Sequence, residues 1–223
     1  MTVHYQVVAD VVDIQNDQPR TGDAFLVDTN VWFWLSYTKA MPAPYQKACY
    51  PPYIKLAKQA GIALHRCALT LSELAHLIEK TERELYENTH QTLKPQNYRN
   101  KNGWLKPKEY RHNYPSERAS VTAEVKAAWG AVQTMASPVD LHVDDHLTAA
   151  ALSRFQNQPL DGYDLFVVEA ISKAGIVQVL TDDGDFCTVP GIQVFTANRD
   201  VISAATSQSR LLQRPPVPPS PSP

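Results

Sequence analysis

The sequence is poor in glycine and cysteine, and each shortage argues against a class of protein. Its 223 residues include 8 glycines, and none of them forms the Gly-x-Gly-x-x-Gly run of dinucleotide-binding oxidoreductases. The three cysteines, Cys49, Cys67 and Cys187, include no Cys-x-x-Cys pair. An odd number of scattered cysteines favours a reducing compartment over a disulfide framework or a zinc site. We therefore expect a cytoplasmic protein.

Long apolar runs and an excess of basic charge are also missing. No stretch approaches the roughly 20 apolar residues that cross a membrane, and the first residues lack the basic and apolar segments of a signal peptide, so we expect no membrane partner. The formal net charge is −2 and the isoelectric point is near 6.4. Any nucleic acid would therefore have to be held by a local basic patch or through metal ions.

The apolar residues that are present follow the pattern of an α/β protein. Residues 24–27 (Ala-Phe-Leu-Val) are apolar without alternation, which is typical of a strand buried on both faces of a parallel sheet. Similar runs follow, separated by segments with apolar residues at spacings of three and four. This alternation predicts a parallel α/β sheet. The other predicted strands are 62–64, 176–180 and 191–195, and the predicted helices are 53–59, 69–80, 116–136, 145–155 and 160–174.

Composition divides the chain into a central domain and two ends. We place the domain at residues 23–200, after an N-terminal leader over 1–22. A proline-rich tail over 201–223 cannot bury a core and is predicted to be disordered. Within the domain, residues 81–138 are a predicted polar and helical insertion. Its first part, 81–115, has no sustained period and carries seven Lys or Arg residues against four Asp or Glu residues.

Acidic residues follow two of the apolar runs at the point where each run ends. Asp28 comes directly after the run 24–27, and Asp182 comes two residues after the run 176–180. The carboxyl ends of neighbouring parallel strands meet at one edge of a sheet, where α/β proteins bind ligands. Glu73 and Asp164 lie in the first turns of predicted helices and would close on the same crevice. Such a group of like charges needs bound cations, and oxygen donors without His or Cys favour Mg²⁺ or Mn²⁺.

The motifs around these acids resemble the successive motifs of the PIN-domain nucleases. They are, in order, residues 26–30 (Leu-Val-Asp-Thr-Asn), 72–74 (Ser-Glu-Leu), 163–171 (Tyr-Asp-Leu-Phe-Val-Val-Glu-Ala-Ile) and 179–186 (Val-Leu-Thr-Asp-Asp-Gly-Asp-Phe). The resemblance runs from about Phe25 to Ala197 with gaps. It implies a Rossmann-like parallel sheet with helices on both faces, and metal-dependent endonucleolytic cleavage of RNA that leaves 5′-phosphate ends.

The resemblance also assigns roles to individual residues. It makes Asp28, Glu73, Asp164 and Asp182 the catalytic metal ligands and Asp185 a weaker fifth ligand, with Asn30 and Thr181 orienting them. Many bacterial members are toxins of toxin–antitoxin pairs, of the VapC type, so an antitoxin protein is an implied partner. Oligomers are common in the family, and Trp32 or Trp129 is a candidate for such an interface.

The segment 81–115 contains the candidate contacts to RNA. Lysine and arginine side chains would neutralise phosphates, and the tyrosines between them could stack on unpaired bases. A solvated insertion without that role is the alternative. The candidate phosphate contacts are Lys101, Lys106, Lys108 and Arg111.

Each acid also has a structural explanation when it is taken alone. Asp28 and Asp182 are at positions typical of turns, Asp164 could cap a helix, and Glu73 could be a solvated helix residue. We interpret Asp183 as a turn residue and Asp161 as a helix cap. Two other functions stay open at this point: a DNA nuclease acting on flaps or single strands, and a binding module that kept the fold and lost catalysis.

Overall fold

The chain folds around one parallel sheet. A computed structural model describes residues 3–93 and 103–215, and in this part of the chain the sheet has six strands in the order β1-β6-β5-β2-β3-β4, all parallel. The predicted parallel α/β sheet is confirmed. The strands are β1 (Asp10–Asp13), β2 (Ala24–Val27), β3 (Ala63–Cys67), β4 (Ser137–Val139), β5 (Gln178–Leu180) and β6 (Gln193–Thr196).

Helices cover both faces of the sheet. They are α1 (Thr29–Ser36), α2 (Pro44–Gln59), α3 (Thr70–Thr89), α4 (Pro107–Asn113), α5 (Pro115–Met135), α6 (Asp145–Asn157), α7 (Gly162–Ala174) and α8 (Arg199–Ser207). Residues of α1, α2, α3 and α5 pack on one face with Phe25 and Leu180, and residues of α6, α7 and α8 pack on the other with Leu26 and Val179. Trp32 is fully buried in the core that contains Phe25 and Leu180, which removes it as a candidate for an oligomer interface.

None of the helices in the described ranges is long and apolar enough to cross a bilayer.

The N-terminal segment belongs to the sheet, contrary to the prediction of a separate leader over 1–22. β1 pairs in parallel with β6 through the register Asp10 to Gln193. Val11 and Val12 point to opposite faces of the sheet and are both buried, one in each core. Two adjacent valines are too short a pattern to predict a strand, and the pairing depends on a partner 183 residues away in the sequence.

α2 begins at Pro44, nine residues before the predicted start of that helix. Proline suits a first helical position because its missing N–H would be unpaired there anyway, and the side chain of Gln46 accepts a hydrogen bond from the backbone N–H of Ala43. Pro51 and Pro52 lie inside the helix and remove hydrogen bonds from it. Packing offsets this loss, since Tyr50 and Tyr53 on the same helix are buried in the core.

α3 continues to Thr89, nine residues beyond its predicted end, because the chain folds back onto it. The carboxylate of Glu87, buried on α3, accepts a hydrogen bond from the backbone N–H of Leu105 at 2.9 Å. Arg83 donates to the backbone carbonyl of Leu105 at 2.7 Å. A small apolar cluster of Leu105, Tyr110 and Val121 then joins α4 and α5 to this helix. The part of the insertion in the described ranges is therefore packed helical structure.

The segment after Asp200 is also ordered as far as it is described, contrary to the predicted tail over 201–223. Val201 and Ala205 of α8 are fully buried, and Leu211 forms a bridge to Val11 of β1. Arg214 then donates to Asp17 and to Asp23, the latter at 2.7 Å. Residues 216–223, the most proline-rich part of the predicted tail, lie outside the described residues.

The Arg214→Ala variant should be less stable by about 2 kcal/mol in free energy of unfolding. The loss leaves the buried carboxylates of Asp17 and Asp23 with fewer donors, although Tyr53 still donates to Asp17. Urea unfolding measures the difference. The matched control is Arg210→Ala, since Arg210 forms an ion pair with Asp10 in which both side chains are about half exposed. Equal losses in the two variants would contradict the role given to Arg214.

Candidate metal centre

The acids predicted from the sequence meet where β2 and β5 end side by side. The chain runs from β2 to β3 and β4 on one side of the sheet and then returns to β5 and β6 on the other side. A reversal of this kind opens a crevice at the carboxyl ends of the strands, where α/β sheets bind ligands. Asp28 follows β2 at this crevice, and Thr181 follows β5.

Asp28 is held from two sides. Its Oδ1 accepts a hydrogen bond from the backbone N–H of Thr29 at 2.6 Å, and its Oδ2 accepts one from the hydroxyl of Thr181, also at 2.6 Å. Burial, followed by the charges of Glu73 and Asp183, raises the pKa of Asp28 to about 7 in spite of these donors. The carboxyl group is therefore well positioned and lacks a compensating positive charge.

Glu73 and Asp164 approach Asp28 from the first turns of α3 and α7, as predicted. Glu73 accepts a hydrogen bond from the hydroxyl of Thr29, and burial raises its pKa. Asp164 is 6% exposed, and burial, followed by the charge of Asp28, raises its pKa to about 9. These three acids form the group that the sequence predicts.

Asp182 is not part of this group, which corrects its assignment as a metal ligand. Its carboxylate faces α2, where it accepts hydrogen bonds from Tyr45 at 2.8 Å, Tyr50 at 2.7 Å and Gln46 at 2.6 Å. Side chains alternate between faces along an extended chain, so Asp182 points to the same side as Leu180, which packs in the core that contains α2. Asp182 therefore anchors α2 to the end of β5.

Asp183, and not Asp182, belongs to the acidic group beside Asp28 and Asp164. Its charge is among those that raise the pKa of Asp28 and of Asp164. Burial, followed by the charges of Asp161 and Asp182, also raises its own pKa. A signal for this exchange is present in the sequence, because Asp183 is four residues after Val179 and so has the parity of the opposite face.

The loop that follows keeps Asp185 close to Asp183. The backbone N–H of Asp185 donates to Asp183 Oδ1 at 2.9 Å. Burial, followed by the charges of Asp183 and Asp161, raises the pKa of Asp185 to about 6. Gly184 between them lies against the ring of Tyr5, and a Cβ atom there would collide with that ring. The N-terminal segment thus supports the acidic loop.

Asp161 caps α7, as interpreted from the sequence, and it also contributes charge to the group. Its Oδ1 accepts hydrogen bonds from the backbone N–H groups of Tyr163 and Asp164. Its charge raises the pKa of Glu73 and of Asp164. The candidate centre therefore consists of Asp28, Glu73, Asp161, Asp164, Asp183 and Asp185.

Thr181 and Asn30 lie beside Asp28, as the resemblance implies. Thr181 donates to Asp28 and accepts a hydrogen bond from the backbone N–H of Asp183 at 2.8 Å. The side-chain amide of Asn30 lies 3.5 Å from the hydroxyl of Thr181. Among the described residues, no partner donates to the buried side-chain oxygen of Asn30. That oxygen is therefore available to a group that the protein itself does not supply.

The donor set suits a hard divalent cation by its chemistry and charge. All the candidate ligand atoms are oxygens, which favour Mg²⁺ or Mn²⁺, and the raised pKa values of Asp28, Asp164 and Asp185 mark uncompensated negative charge. Within residues 3–93 and 103–215, however, no three His, Cys, Asp or Glu side chains are already arranged so that they could hold an ion. Binding would require side chains of the group to turn toward the cation.

Single substitutions of Asp182 and of Asp183 by asparagine distinguish the roles of these two acids. Asp182→Asn should lower the free energy of unfolding by about 1 to 3 kcal/mol, because the amide cannot accept from all three donors of α2. Asp183→Asn should not destabilise the metal-free protein, since it removes a repulsive charge. Thermal unfolding and Mn²⁺ titration calorimetry measure both effects. We expect weaker Mn²⁺ binding only in Asp183→Asn. Weaker Mn²⁺ binding only in Asp182→Asn would restore Asp182 as the metal ligand.

The predicted contacts to RNA that the structure describes lie on α4 or at its start. Lys106 and Lys108 are exposed at the start of α4, and Lys101 lies outside the described residues. Arg111, near the end of α4, forms an ion pair with Glu79 of α3 at 3.5 Å. Tyr110 is 2% exposed and packs with Tyr114, so its ring supports the small cluster of the insertion and cannot stack on a base.

A scan against protein-family models finds no matching family. Searches of curated proteins and of solved structures likewise find no match.

Proposed function

We propose that this protein is a divalent-metal-dependent nuclease that hydrolyses RNA phosphodiester bonds. The observation that carries the proposal is the pair of buried carboxyl groups, Asp28 and Asp164, at the crevice where the strand order of the parallel sheet reverses. Burial, followed by the charges of Glu73 and Asp183, raises the pKa of Asp28 to about 7, and burial, followed by the charge of Asp28, raises the pKa of Asp164 to about 9. A binding site for a cation accounts for this arrangement better than any structural role, since the repulsion weakens the fold.

Mg²⁺ or Mn²⁺ held by Asp28, Glu73, Asp164 and Asp183, with Asp185 nearby, would lower the pKa of a bound water and stabilise charge on a phosphate. The protein's own contribution is to fix two of these carboxylates, those of Asp28 and Glu73. Thr181 and the backbone of Thr29 orient Asp28, and the hydroxyl of Thr29 orients Glu73. Asp164 holds its proton near neutral pH in the absence of the cation, so cation affinity should rise with pH.

The order of the motifs supports RNA as the substrate. The segments around Asp28, Glu73 and Asp164 resemble those of the PIN-domain nucleases in the same order along the chain, and the parallel sheet with helices on both faces agrees with that resemblance. The resemblance further suggests that a small antitoxin protein covers the acidic crevice.

The test is cleavage of a total-RNA pool by the purified protein, followed by mapping of the new 5′ ends. We expect cleavage with Mn²⁺ or Mg²⁺, none with EDTA, and 5′-phosphate products. Matched RNA and DNA oligonucleotides identify the substrate, and preference for DNA would make the protein a DNA nuclease. Mn²⁺ binding without cleavage of either polymer would indicate a binding module, and cleavage that persists in EDTA would contradict the mechanism.

A further inference from the structure

A groove of about 570 Å³ runs between α3 and α5 beside the acidic group. Its walls are stripes of residues at helical spacing, from Leu71 to Glu79 on α3 and from Arg118 to Trp129 on α5. At 1.5 Å per residue, these stripes are roughly 12 and 16 Å long. We call this feature the α3–α5 groove.

The charge of the α3–α5 groove is predominantly positive. Arg111, Arg118 and Lys126 line it, and among the described residues Glu79 is the only carboxylate that does so. Both arginines contact Glu79, Arg118 at 3.1 Å and Arg111 at 3.5 Å, so one negative charge is shared between two positive ones. The side chains of the two arginines are about half exposed, and Lys126 is exposed. The groove therefore offers positive charge to a ligand although the chain as a whole is weakly acidic.

Apolar and aromatic side chains line the groove between these charges. Val121, Val125 and Trp129 contribute from α5, and Tyr163 contributes from the start of α7. Tyr163 is 49% exposed, so its ring is accessible to a ligand in the groove. Cations beside an accessible aromatic ring are the combination that binds single-stranded nucleic acid, with phosphates on the cations and a base on the ring.

One end of the groove is formed by residues that neighbour two of these acids in the sequence. Ser72 and Tyr163 both line the groove, and each immediately precedes an acid of the candidate centre, Glu73 and Asp164. Adjacent Cα atoms are about 3.8 Å apart, so the wall of the groove at Ser72 and Tyr163 is continuous with the backbone that carries those acids. Glu79 is seven residues after Ser72 on α3, roughly 10 Å along the helix axis, and Arg111 and Arg118 contact it there from α4 and α5.

We propose that the α3–α5 groove binds a single-stranded segment of RNA next to the phosphate that is cleaved. The inference rests on the proposed function, which identifies the acidic group as the cleavage site. Arg111, Arg118 and Lys126 contact successive phosphates, and Tyr163 stacks on a base close to the scissile bond. An acidic peptide of a partner protein would also pair with the cations, but it would not account for the exposed ring of Tyr163 or for the position of the groove beside the proposed nuclease centre.

Binding of a fluorescent 12-nucleotide RNA, measured by anisotropy with Mg²⁺ in the Asp28→Asn background, tests the groove without cleavage. The double variant Arg118→Gln, Lys126→Gln should raise the Kd about tenfold or more. The slope of log K against log salt should fall by about 1.4, or roughly 0.7 for each phosphate that is no longer neutralised. The matched control neutralises Lys55 and Lys58, exposed lysines of α2 that do not line the groove, and should change neither quantity.

A second pair of variants tests the ring of Tyr163. Tyr163→Ala should raise the Kd roughly tenfold, because stacking on a base is removed. Tyr163→Phe keeps the ring and should bind as the parent does. Thermal unfolding of each variant separates a loss of binding from a loss of structure. Equal affinity of the Ala and Phe variants would overturn the stacking interaction.

The outcomes distinguish this inference from the proposed function. Cleavage by the native protein together with unchanged RNA affinity in both groove variants would overturn the groove and leave the nuclease. RNA binding that depends on the groove in a native protein that cleaves nothing would overturn the nuclease and leave the groove as a binding site. A polyglutamate peptide that binds through Arg118 and Lys126, with unchanged affinity for RNA in their variants, would instead make the groove a protein-binding surface. Absence of any RNA binding or cleavage would overturn both.

Discussion

Asp28→Asn is expected to lower metal-dependent RNA cleavage by roughly a thousandfold while making the metal-free protein more stable. A bound cation supplies several kcal/mol of charge stabilisation to phosphodiester hydrolysis, and each 1.4 kcal/mol is about a factor of ten in rate. Asp28 lies at the centre of the proposed site, between Thr29 and Thr181. Loss of this carboxylate should therefore weaken cation binding and remove most of the activity.

The gain in stability has a separate cause. Burial and the charges of Glu73 and Asp183 raise the pKa of Asp28 to about 7, so above that pH the folded state carries a charge that it does not compensate. Asparagine removes the charge and can still accept from the backbone of Thr29. The melting temperature without metal at pH 8 should rise by several degrees.

The measurements are initial rates on the RNA identified from the total pool, and thermal unfolding in EDTA. Asp145→Asn is the matched control, because Asp145 is an exposed acid in the first turn of α6, and it should change neither rate nor stability. Full activity in Asp28→Asn would refute the proposed mechanism. A large loss of stability in that variant would show that Asp28 acts mainly as the cap of α1.

The metal-free protein should lose stability steadily as the pH rises from about 4 to about 9. Asp28 and Asp164 have ordinary pKa values of 3.8 when unfolded, and in the folded state these are raised to about 7 and about 9. Between the unfolded and folded values, the folded state binds more protons than the unfolded state. Each such carboxyl group therefore lowers the free energy of unfolding as the pH rises through its own window.

Asp17, whose pKa is lowered mainly by its hydrogen bond from Arg214 against the opposing effect of burial, changes stability in the opposite direction. Its contribution is lost only as the pH falls below about 4, so it does not obscure the trend above that value.

Added Mn²⁺ should oppose this loss, and more strongly at pH 8 than at pH 6. At the higher pH Asp28 has released most of its protons and Asp164 has begun to release its own, and the cation replaces a repulsion with an attraction. Thermal unfolding across the pH range, with EDTA and with Mn²⁺, measures the effect. Asp164→Asn should flatten the decline between pH 7 and 9 in EDTA. Stability that is independent of pH between 5 and 9 would refute the electrostatic account of the site.

The sequence predicted the parts of the site that depend on local pattern. A buried apolar strand that stops at Asp28 is visible without any knowledge of the fold, and so are Glu73 and Asp164 in the first turns of amphipathic helices. These predictions agree with the structure because strand burial, helix starts and the edge where parallel strands end follow from short stretches of chain.

The exchange of Asp182 for Asp183 has only a weak local signal, the alternation of side chains after Val179. Both residues follow β5, and their order in the motif favours the first. Tyr50 and its neighbours on α2 lie more than 130 residues away. They decide which acid faces the crevice, because their hydrogen bonds hold the carboxylate of Asp182 on the α2 side of the sheet. That helix was itself predicted too short, because two internal prolines concealed a segment that packing keeps helical.

By itself, the sequence determined the class of the fold, the crevice and three of its acids, since these depend on the burial pattern of neighbouring residues. Only the tertiary structure decided which remaining acids face the crevice and that both ends of the chain belong to the domain. It also decided that α3 and α5 form a basic groove beside the acids. Each of these features depends on contacts between residues far apart in the chain, such as Val11 with Leu211 and Glu79 with Arg118, and local periodicity carries no information about such contacts.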